Sequence, residues 1–447
     1  MTTIDIPKGY FQERLETLLQ EQTPSLSESA LRAFIEPFFL RRYEFLAPLI
    51  EQETPLYLFE PELLRRRSER FQAAFRAHFE NTGFYYAVKS NNYPEIARVL
   101  TATGFGLDVS SGLELKMALG LTTQDIIFSG PGKTRAELEM AVTASERVTV
   151  LVDSFHELEM LGQITDTWQK DIRIGVRLTT RADGLWRKFG IPPETLSRFV
   201  KEVNCLSYLH FQGIQFHTSW NLNAQAQLDF ILVLKDILTL LPTKDLSQIS
   251  FIDIGGGYWP EQGEWLQPAG TETGILRNAL QFGPVYNNNH YCQSACLIED
   301  FAEQLGLAIK RHIFPLIPDC RICFEPGRWL CNDVMHLLMT VIDKKSDDLV
   351  ITDAGTNAVG WERFETDYFP VLNLSRPEMS EKSCNILGSL CTPHDVWGYH
   401  YWGEKIEIGD VLLIPTQGAY TYSLMQKFIK PLPEVAVVWP AALSQLP

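Results

Sequence analysis

Tyr86-Ala-Val-Lys89-Ser-Asn places a lysine directly after a short apolar run. Desolvation at such a position would lower the lysine pKa and leave the neutral amine that bonds to a carbonyl carbon; most lysines, by contrast, are solvated. Gly255-Gly-Gly257 follows a second apolar run. Small residues in succession let backbone N–H groups approach an anion, and with Arg328 they would hold a phosphate, although a tight turn asks for the same glycines. Glu325, in Glu325-Pro-Gly-Arg328, is a carboxylate suited either to a cationic ring nitrogen or to an ion pair with that arginine. His217, in His217-Thr-Ser, is placed to stack on a planar group or to serve as a hydrogen-bonded structural histidine, and Asp108 to orient a lysine or an imine. Further on, Gly388-Ser-Leu-Cys391-Thr-Pro-His-Asp395 sets a cysteine among turn residues, and Gly418-Ala-Tyr420-Thr follows it. Such a cysteine is an acid for a reacting carbon if its surroundings lower its pKa.

The elements that must position these residues are legible in the same stretch. Eight apolar runs, 84–89, 104–111, 125–130, 148–154, 172–178, 213–218, 251–256 and 320–327, alternate with helix-like segments such as 93–103, 135–144 and 224–241. Alternating strand and helix implies a parallel sheet, and eight units over this length imply a (β/α)8 barrel. The runs end in the polar or glycine-rich residues named above, and the C-terminal strand ends are where such barrels build active sites. After about residue 331 the rhythm changes to apolar runs separated by turns, at 334–342, 349–353, 368–374, 411–415 and 435–439. This predicts an all-β second domain, a β-sandwich or β-barrel. The expected division is a helical extension over 1–54, a lead-in over 55–80 whose run 55–60 joins the β domain, the barrel over 81–330 and the β domain over 331–447. Residues 258–295 read as a long insertion between the seventh and eighth barrel strands, with three consecutive asparagines, fit for a lid, a specificity loop or a surface elaboration.

Composition narrows the classes. The 447 residues are 45% hydrophobic and 21% charged, ample for two packed domains. A formal net charge of -16, with no basic run beyond Arg65–Arg67, argues against nucleic acid as a partner. The first 19 residues lack the apolar core of a signal peptide and no apolar run reaches a membrane span, so the cytoplasm is the expected compartment. The 8 cysteines are scattered. Cys320 and Cys323 form a CxxC and Cys292 and Cys296 a CxxxC, but the first pair lies in a strand-like run whose alternate residues face opposite sides, and no metal is expected.

Taken in order, YAVKSN, HTS, GGGY, EPGR, the glycine-to-cysteine-to-aspartate run and GAYT resemble the fold-type III decarboxylases that use pyridoxal 5′-phosphate (PLP), a family that includes the diaminopimelate and ornithine decarboxylases. The resemblance runs from about Pro55 to Val438. It implies that Lys89 carries the cofactor, Glu325 holds the pyridine nitrogen protonated, His217 stacks on the ring, and Gly255, Gly256, Gly257, Arg328 and Tyr420 bind the phosphate. It also implies that Cys391 protonates Cα after CO2 is lost, and that Cys391 and Asp395 reach the site from the partner subunit of a homodimer.

Two departures bear on substrate. Diamine-forming and diaminopimelate enzymes carry an acidic residue directly after the cysteine, which reads a distal ammonium; here that position is Thr392. The arginine that follows the asparagine in diaminopimelate decarboxylases is shifted, in the run Asn357-Ala-Val-Gly-Trp-Glu-Arg363. Without that charge, recognition of a free diamino acid weakens. The expected substrate is therefore an acylated one, as in the branch that decarboxylates citrate-linked diamino acids during carboxylate-siderophore assembly, with Arg363, Thr392, His394 and the 258–295 loop as contacts. The alternatives are an ordinary diaminopimelate, ornithine or lysine decarboxylase with ammonium recognition moved to Asp395, an alanine-racemase-like activity, and a non-catalytic PLP-binding regulator.

Overall fold

The computed structural model describes residues 13, 15, 17, 18, 23–281, 289–318, 320–360 and 362–439. Most of the N-terminal stretch read above for a signal, much of the helical extension before residue 23, and residues 282–288 of the 258–295 insertion lie outside the described residues. Among the described residues no helix is long and apolar enough to cross a membrane.

The first strand, β1 (Leu56–Phe59), precedes the barrel. Then β2 (Thr82–Ala87), β3 (Gly106–Val109), β4 (Ile126–Phe128), β5 (Val148–Val152), β6 (Ile172–Leu178), β7 (Leu209–Phe216) and β8 (Phe251–Asp253) follow in order. After a short antiparallel pair in the insertion, β9 (Glu264–Leu266) with β10 (Tyr291–Gln293), the strand β11 (Arg321–Phe324) pairs with both β8 and β2 and closes an eight-stranded parallel barrel. All eight expected barrel strands are present. Their runs are easy to read because a parallel strand covered by helices is apolar on both faces. The crossover helices start where the sequence supplies caps: Ser111 and Ser154 accept from the N–H groups of Glu114 and Glu157, and Thr134 with Glu137 completes a reciprocal capping box.

Inside the barrel, Tyr85, Ile127, Leu151, Phe251 and Cys323 form a buried apolar plug. Glycines on neighbouring strands make room for the large rings: a Cβ at Gly213 would sit 2.5 Å from the Phe251 ring and one at Gly106 2.6 Å from Tyr85. Side chains alternate along a strand, so the residues two positions further on share the plug's face. From the plug these are Ala87, Ser129, Asp153, Asp253 and Glu325, and from Gly106, Gly175 and Gly213 on the neighbouring strands they are Asp108, Arg177 and Gln215, all buried. The barrel thus carries a polar layer directly above an apolar one, at the strand ends that the chain leaves for its helices.

The second domain comprises β12 (Met335–Ser346), β13 (Leu349–Thr352), β14 (Leu372–Asn373), β15 (Glu381–Leu387), β16 (Val396–Trp402), β17 (Val411–Ile414) and β18 (Glu434–Val437). β1 lies between β12 and β18, and the additional pairing of β12 with β13 closes a ring through β15, β16, β14 and β17. The apolar runs of the sequence do not disclose β15 and β16. Glu381-Lys-Ser-Cys-Asn is polar and only half buried, and β16 is rich in Gly, His and aromatic residues, so neither presents a simple apolar run. β1 is buried on both faces: Tyr57 and Phe59 join the main core, while Leu56 and Leu58 pack in a second cluster with Leu31, Ile35 and Phe39 of the helix Glu28–Leu40.

The described parts of the insertion are anchored to the rest of the chain. Trp265 packs into the second cluster, Gln267 N–H donates to the Thr366 carbonyl, and Tyr291 bridges to Ser25. Cys320 and Cys323 are buried in different clusters.

Truncating the centre of the plug tests whether it supports the polar layer. Phe251→Ala should cost about 3–5 kcal/mol in urea unfolding; a loss below about 1 kcal/mol would show that the plug is dispensable.

Candidate active site

Lys89 lies in a single 3-10 turn, Val88–Ser90, at the end of β2. Three bonds from the second domain fasten this turn: Tyr420 N–H to the Ser90 carbonyl at 2.7 Å, Ser423 Oγ to the Lys89 carbonyl at 3.0 Å, and Asn91 Nδ2 to the Gly418 carbonyl at 2.7 Å. The Lys89 Nζ is 3.3 Å from Asp108 Oδ2, and Ser129 Oγ donates to the other Asp108 oxygen. Here the structure corrects the sequence reading. Burial does disfavour the ammonium, but the Asp108 and Glu325 carboxylates outweigh it and hold Lys89 above the ordinary lysine value. Apolar neighbours in sequence are not neighbours of the ammonium, which points across the barrel to carboxylates on other strands.

Glu325 is 1% exposed and receives Gln215 Nε2 at 3.4 and 3.2 Å on its two oxygens. His217 Nδ1 lies 3.6 Å from Glu325 but accepts the Gly256 N–H at 3.1 Å. An accepting Nδ1 carries no proton, so this contact is not an ion pair and the ring hydrogen sits on Nε2. Burial, then the positive charges of Lys89 and Arg177, push the His217 pKa well below its usual range. Asp253 Oδ1 accepts the Gly255 N–H at 2.8 Å. Burial and the adjacent Glu325 carboxylate push the Asp253 pKa well up.

Gly255 and Gly257 have φ of 68° and 81°, the left-handed region that favours glycine. Gly256 is tighter still: a Cβ there would sit 2.1 Å from the Glu325 carbonyl oxygen. Arg328 does not pair with Glu325, the alternative raised by their spacing. Its guanidinium lies 3.7 Å from Glu362, 4.4 Å over the Trp259 ring and 5.1 Å from the Tyr420 ring. Burial raises the Glu362 pKa to about 7, with Arg328 acting against it.

The remaining expected residues lie in the second domain. Cys391 is exposed and, among the described residues, forms no hydrogen bond. Thr392 and His394 line a cavity of about 280 Å³ with Glu362, Glu365 and Asn357, and His394 Nδ1 is 3.3 Å from Glu365. Asp395 is a correction: it is 1% exposed, accepts the Thr356 N–H and hydroxyl at 2.7 and 2.9 Å on one oxygen and takes the Leu390 N–H at 2.6 Å on the other. It holds the loop 388–395 closed, with its carboxylate buried against that loop rather than presented to solvent. Arg363 does not line the cavity; its carbonyl accepts the Thr366 and Asp367 N–H groups. The structure therefore gathers Lys89, Asp108, His217, Gly255, Gly256, Gly257, Glu325, Arg328 and Tyr420 around the barrel mouth. The sequence reading placed Ser129 at a strand end without giving it a role, and missed Gln215, Asp253, Trp259 and Glu362. For Gln215 and Asp253 the signal was available, since each lies two residues beyond Gly213 or Phe251 on its strand.

Comparison with known proteins agrees with this geometry. The family described as pyridoxal-dependent decarboxylase, pyridoxal binding domain, matches residues 62–332. Diaminopimelate decarboxylase of Archaeoglobus fulgidus is 26% identical over 395 residues, covering 85% of this chain and 86% of that one. The 2-[(L-alanin-3-ylcarbamoyl)methyl]-2-hydroxybutanedioate decarboxylase of Staphylococcus aureus is 24% identical over 370 residues, covering 77% and 84%. The crystal structure of diaminopimelate decarboxylase from Helicobacter pylori complexed with L-lysine shares the fold, with a TM-score of 0.70 at 21% identity, covering 88% of this chain and 94% of that one.

The residues present fit the cofactor of that family. The Gly255–Gly257 cradle, which a Cβ would fill, lies beside the His217 imidazole, and the buried Glu325 carboxylate stands next to Asp253, whose pKa is pushed well up.

The buried His217 makes a pH signature. Its folded pKa lies below the unfolded value, so the unfolded chain binds the extra proton and stability is lost as pH falls. Urea unfolding should lose up to about 1.4 kcal/mol for each unit below roughly pH 6.5, over and above the loss in His217→Asn. Equal pH slopes in the two proteins would show that His217 is not held neutral.

Proposed function

The chain belongs to the pyridoxal-dependent decarboxylases, and we propose that it removes the α-carboxylate of an amino acid whose side-chain nitrogen is tied up in an amide, such as the citrate-linked diamino acids of carboxylate-siderophore assembly. PLP, when bound, supplies a conjugated sink for the electron pair left behind as CO2 departs. Lys89 is the residue that carries it. Its ammonium must give up a proton before the amine can bond to a carbonyl carbon, and Asp108 is the nearest acceptor. Glu325, oriented by Gln215 and faced by Asp253, whose pKa is pushed well up, offers its negative charge to a protonated ring nitrogen. His217, fixed by the Gly256 N–H, presents an uncharged ring face. Gly255, Gly256, Gly257, Arg328 and Tyr420 hold the phosphate. Cys391, exposed on its loop, delivers the proton to Cα in the site of a partner subunit, which makes the active unit a homodimer.

The observation that carries the substrate reading is the buried Asp395. With its carboxylate turned into the loop 388–395 and Thr392 neutral, that loop presents no exposed carboxylate to a distal ammonium. The name of the staphylococcal relative describes an alanine joined through a carbamoyl group to a hydroxybutanedioate, a substrate of this type. One observation favours a second reading. Glu362 and Glu365 line the same cavity as Thr392, and Glu365 is a carboxylate that a free ammonium would meet.

Two measurements decide between these readings. CO2 release is measured from meso-diaminopimelate, L-ornithine, L-lysine and the citrate amides of 2,3-diaminopropionate, 2,4-diaminobutyrate and ornithine. The expected result is release chiefly from the citrate amides, with little change in Glu365→Gln. Preference for a free diamino acid, with kcat/KM falling about tenfold to a hundredfold in Glu365→Gln, would establish the second reading instead. For Cys391, the Ala variant should still release CO2 but yield less amine product; an unchanged rate and product would remove it from the mechanism.

A further inference from the structure

Away from the barrel, the end of the insertion meets the second domain at a cluster that the decarboxylase reading does not use. β15 and β16 run antiparallel, with Glu381 opposite Trp402 and Ser383 opposite His400. Glu381 and His400 therefore lie at the end of this hairpin opposite the Cys391 loop. His290, just before β10, comes down on that end with Nε2 2.9 and 3.1 Å from the two Glu381 oxygens. The His400 ring stands edge-on to His290, with centroids 5.5 Å apart. One ligand atom from each of the three residues lies within 4.8 Å of the other two.

The surroundings hold these side chains in place. His290 is 3% exposed and its ring stacks on Tyr368, centroids 3.5 Å apart and planes 16° off parallel. Tyr368 Oη donates to Glu381 Oε1 at 2.8 Å and itself receives Trp402 Nε1 at 3.2 Å. Carboxylate and imidazole are thus both oriented by aromatic residues behind them, the arrangement that fixes ligands in metal centres. Nitrogen and oxygen ligands about 2.0–2.2 Å from one tetrahedral ion lie roughly 3.3–3.6 Å apart, so His290 and Glu381, now 2.9 and 3.1 Å apart, need to separate by only a few tenths of an ångström to share one. Two imidazoles and one carboxylate form a donor set for divalent first-row metals, and calcium or magnesium would ask for more oxygen ligands.

We propose that His290, Glu381 and His400 bind one divalent transition-metal ion, zinc being the best match, with water completing the coordination. The ion clips the returning end of the insertion to the β15–β16 hairpin, a structural role independent of the chemistry at Lys89. Because it binds only the folded arrangement, it also raises the unfolding temperature.

The test uses the full-length holoenzyme stripped of metal by a chelator, then titrated calorimetrically with Zn2+ alone and, in parallel, with Co2+ followed by its visible d–d absorption. One ion per chain is expected. His400→Ala should weaken binding by ~100-fold or more, and Tyr368→Phe, which leaves all three ligands in place, by about 10- to 100-fold with an unchanged circular dichroism spectrum. Absence of stoichiometric binding by the wild-type protein overturns the proposal. So does a His400→Ala affinity within about tenfold of wild type, which would place the ion elsewhere, for example on Cys391. If His400→Ala does not fold, Tyr368→Phe decides: an affinity within about twofold of wild type overturns the site.

Discussion

Asp108, Asp253 and Glu325 are three carboxylates sealed into the mouth of a parallel barrel, above a plug of Tyr85, Ile127, Leu151, Phe251 and Cys323. Burying one such charge without compensation costs several kcal/mol, and three together repel as well. The barrel meets this in three ways. The pKa of Asp253 is pushed well up; Ser129 and Gln215 supply hydrogen bonds to Asp108 and Glu325; and Lys89 gains basicity from Asp108 and Glu325. What remains is a buried glutamate in a layer where Lys89 and Arg177 are the nearby cations. Under the proposed function a protonated heterocycle would pair with it there.

The same constraint accounts for the role of the second domain. A lysine whose Nζ must stay within 3.3 Å of Asp108 needs a fixed backbone, yet the turn Val88–Ser90 is only three residues long. Tyr420, Ser423 and Gly418 supply the bonds that hold it, and Gly418 can approach only because it lacks a side chain: a Cβ there would lie 1.7 Å from the Cys331 carbonyl oxygen. The barrel mouth is thus completed by a segment more than 300 residues away in sequence. The β domain is part of the site's geometry within one chain, before any partner subunit is considered.

How far the sequence discloses this depends on whether a signal is local. Barrel strands are legible because both faces are buried, and strand-end residues because the barrel architecture assigns chemistry to those ends. Asp253 escapes notice because it lies inside an apolar run, where a buried acid looks like a strand residue; its meaning comes from Glu325 on the next strand. The Lys89 pKa is misjudged from sequence for the same reason, since its sign is set by charges brought in from β3 and β11. Asp395 looks available because its sequence neighbours are turn residues, and only the folded loop shows Thr356 and Leu390 converging on it. β15 and β16 go unread because their apolar residues are scattered among polar and aromatic ones. Asp253, Lys89 and Asp395 each depend on a partner that the local sequence does not show.

The two layers of the site answer to different pressures. Around Lys89 the polar residues are buried side by side, so a change at Asp108, Gln215, Asp253 or Glu325 disturbs neighbouring buried groups. The cavity beside Thr392 is different. His394 is 84% exposed on its side chain, and Glu365, its partner there, is 39% exposed. Replacing either residue leaves no buried charge stranded, while Asp395 keeps the loop 388–395 in shape from behind. A fold with this division can change what it reads at the distal end of a substrate without rebuilding the machinery that breaks the bond at Cα. Glu362 is where the layers touch, since it lines the cavity and pairs with Arg328. A distal substrate group that alters its charge would therefore be felt at Arg328.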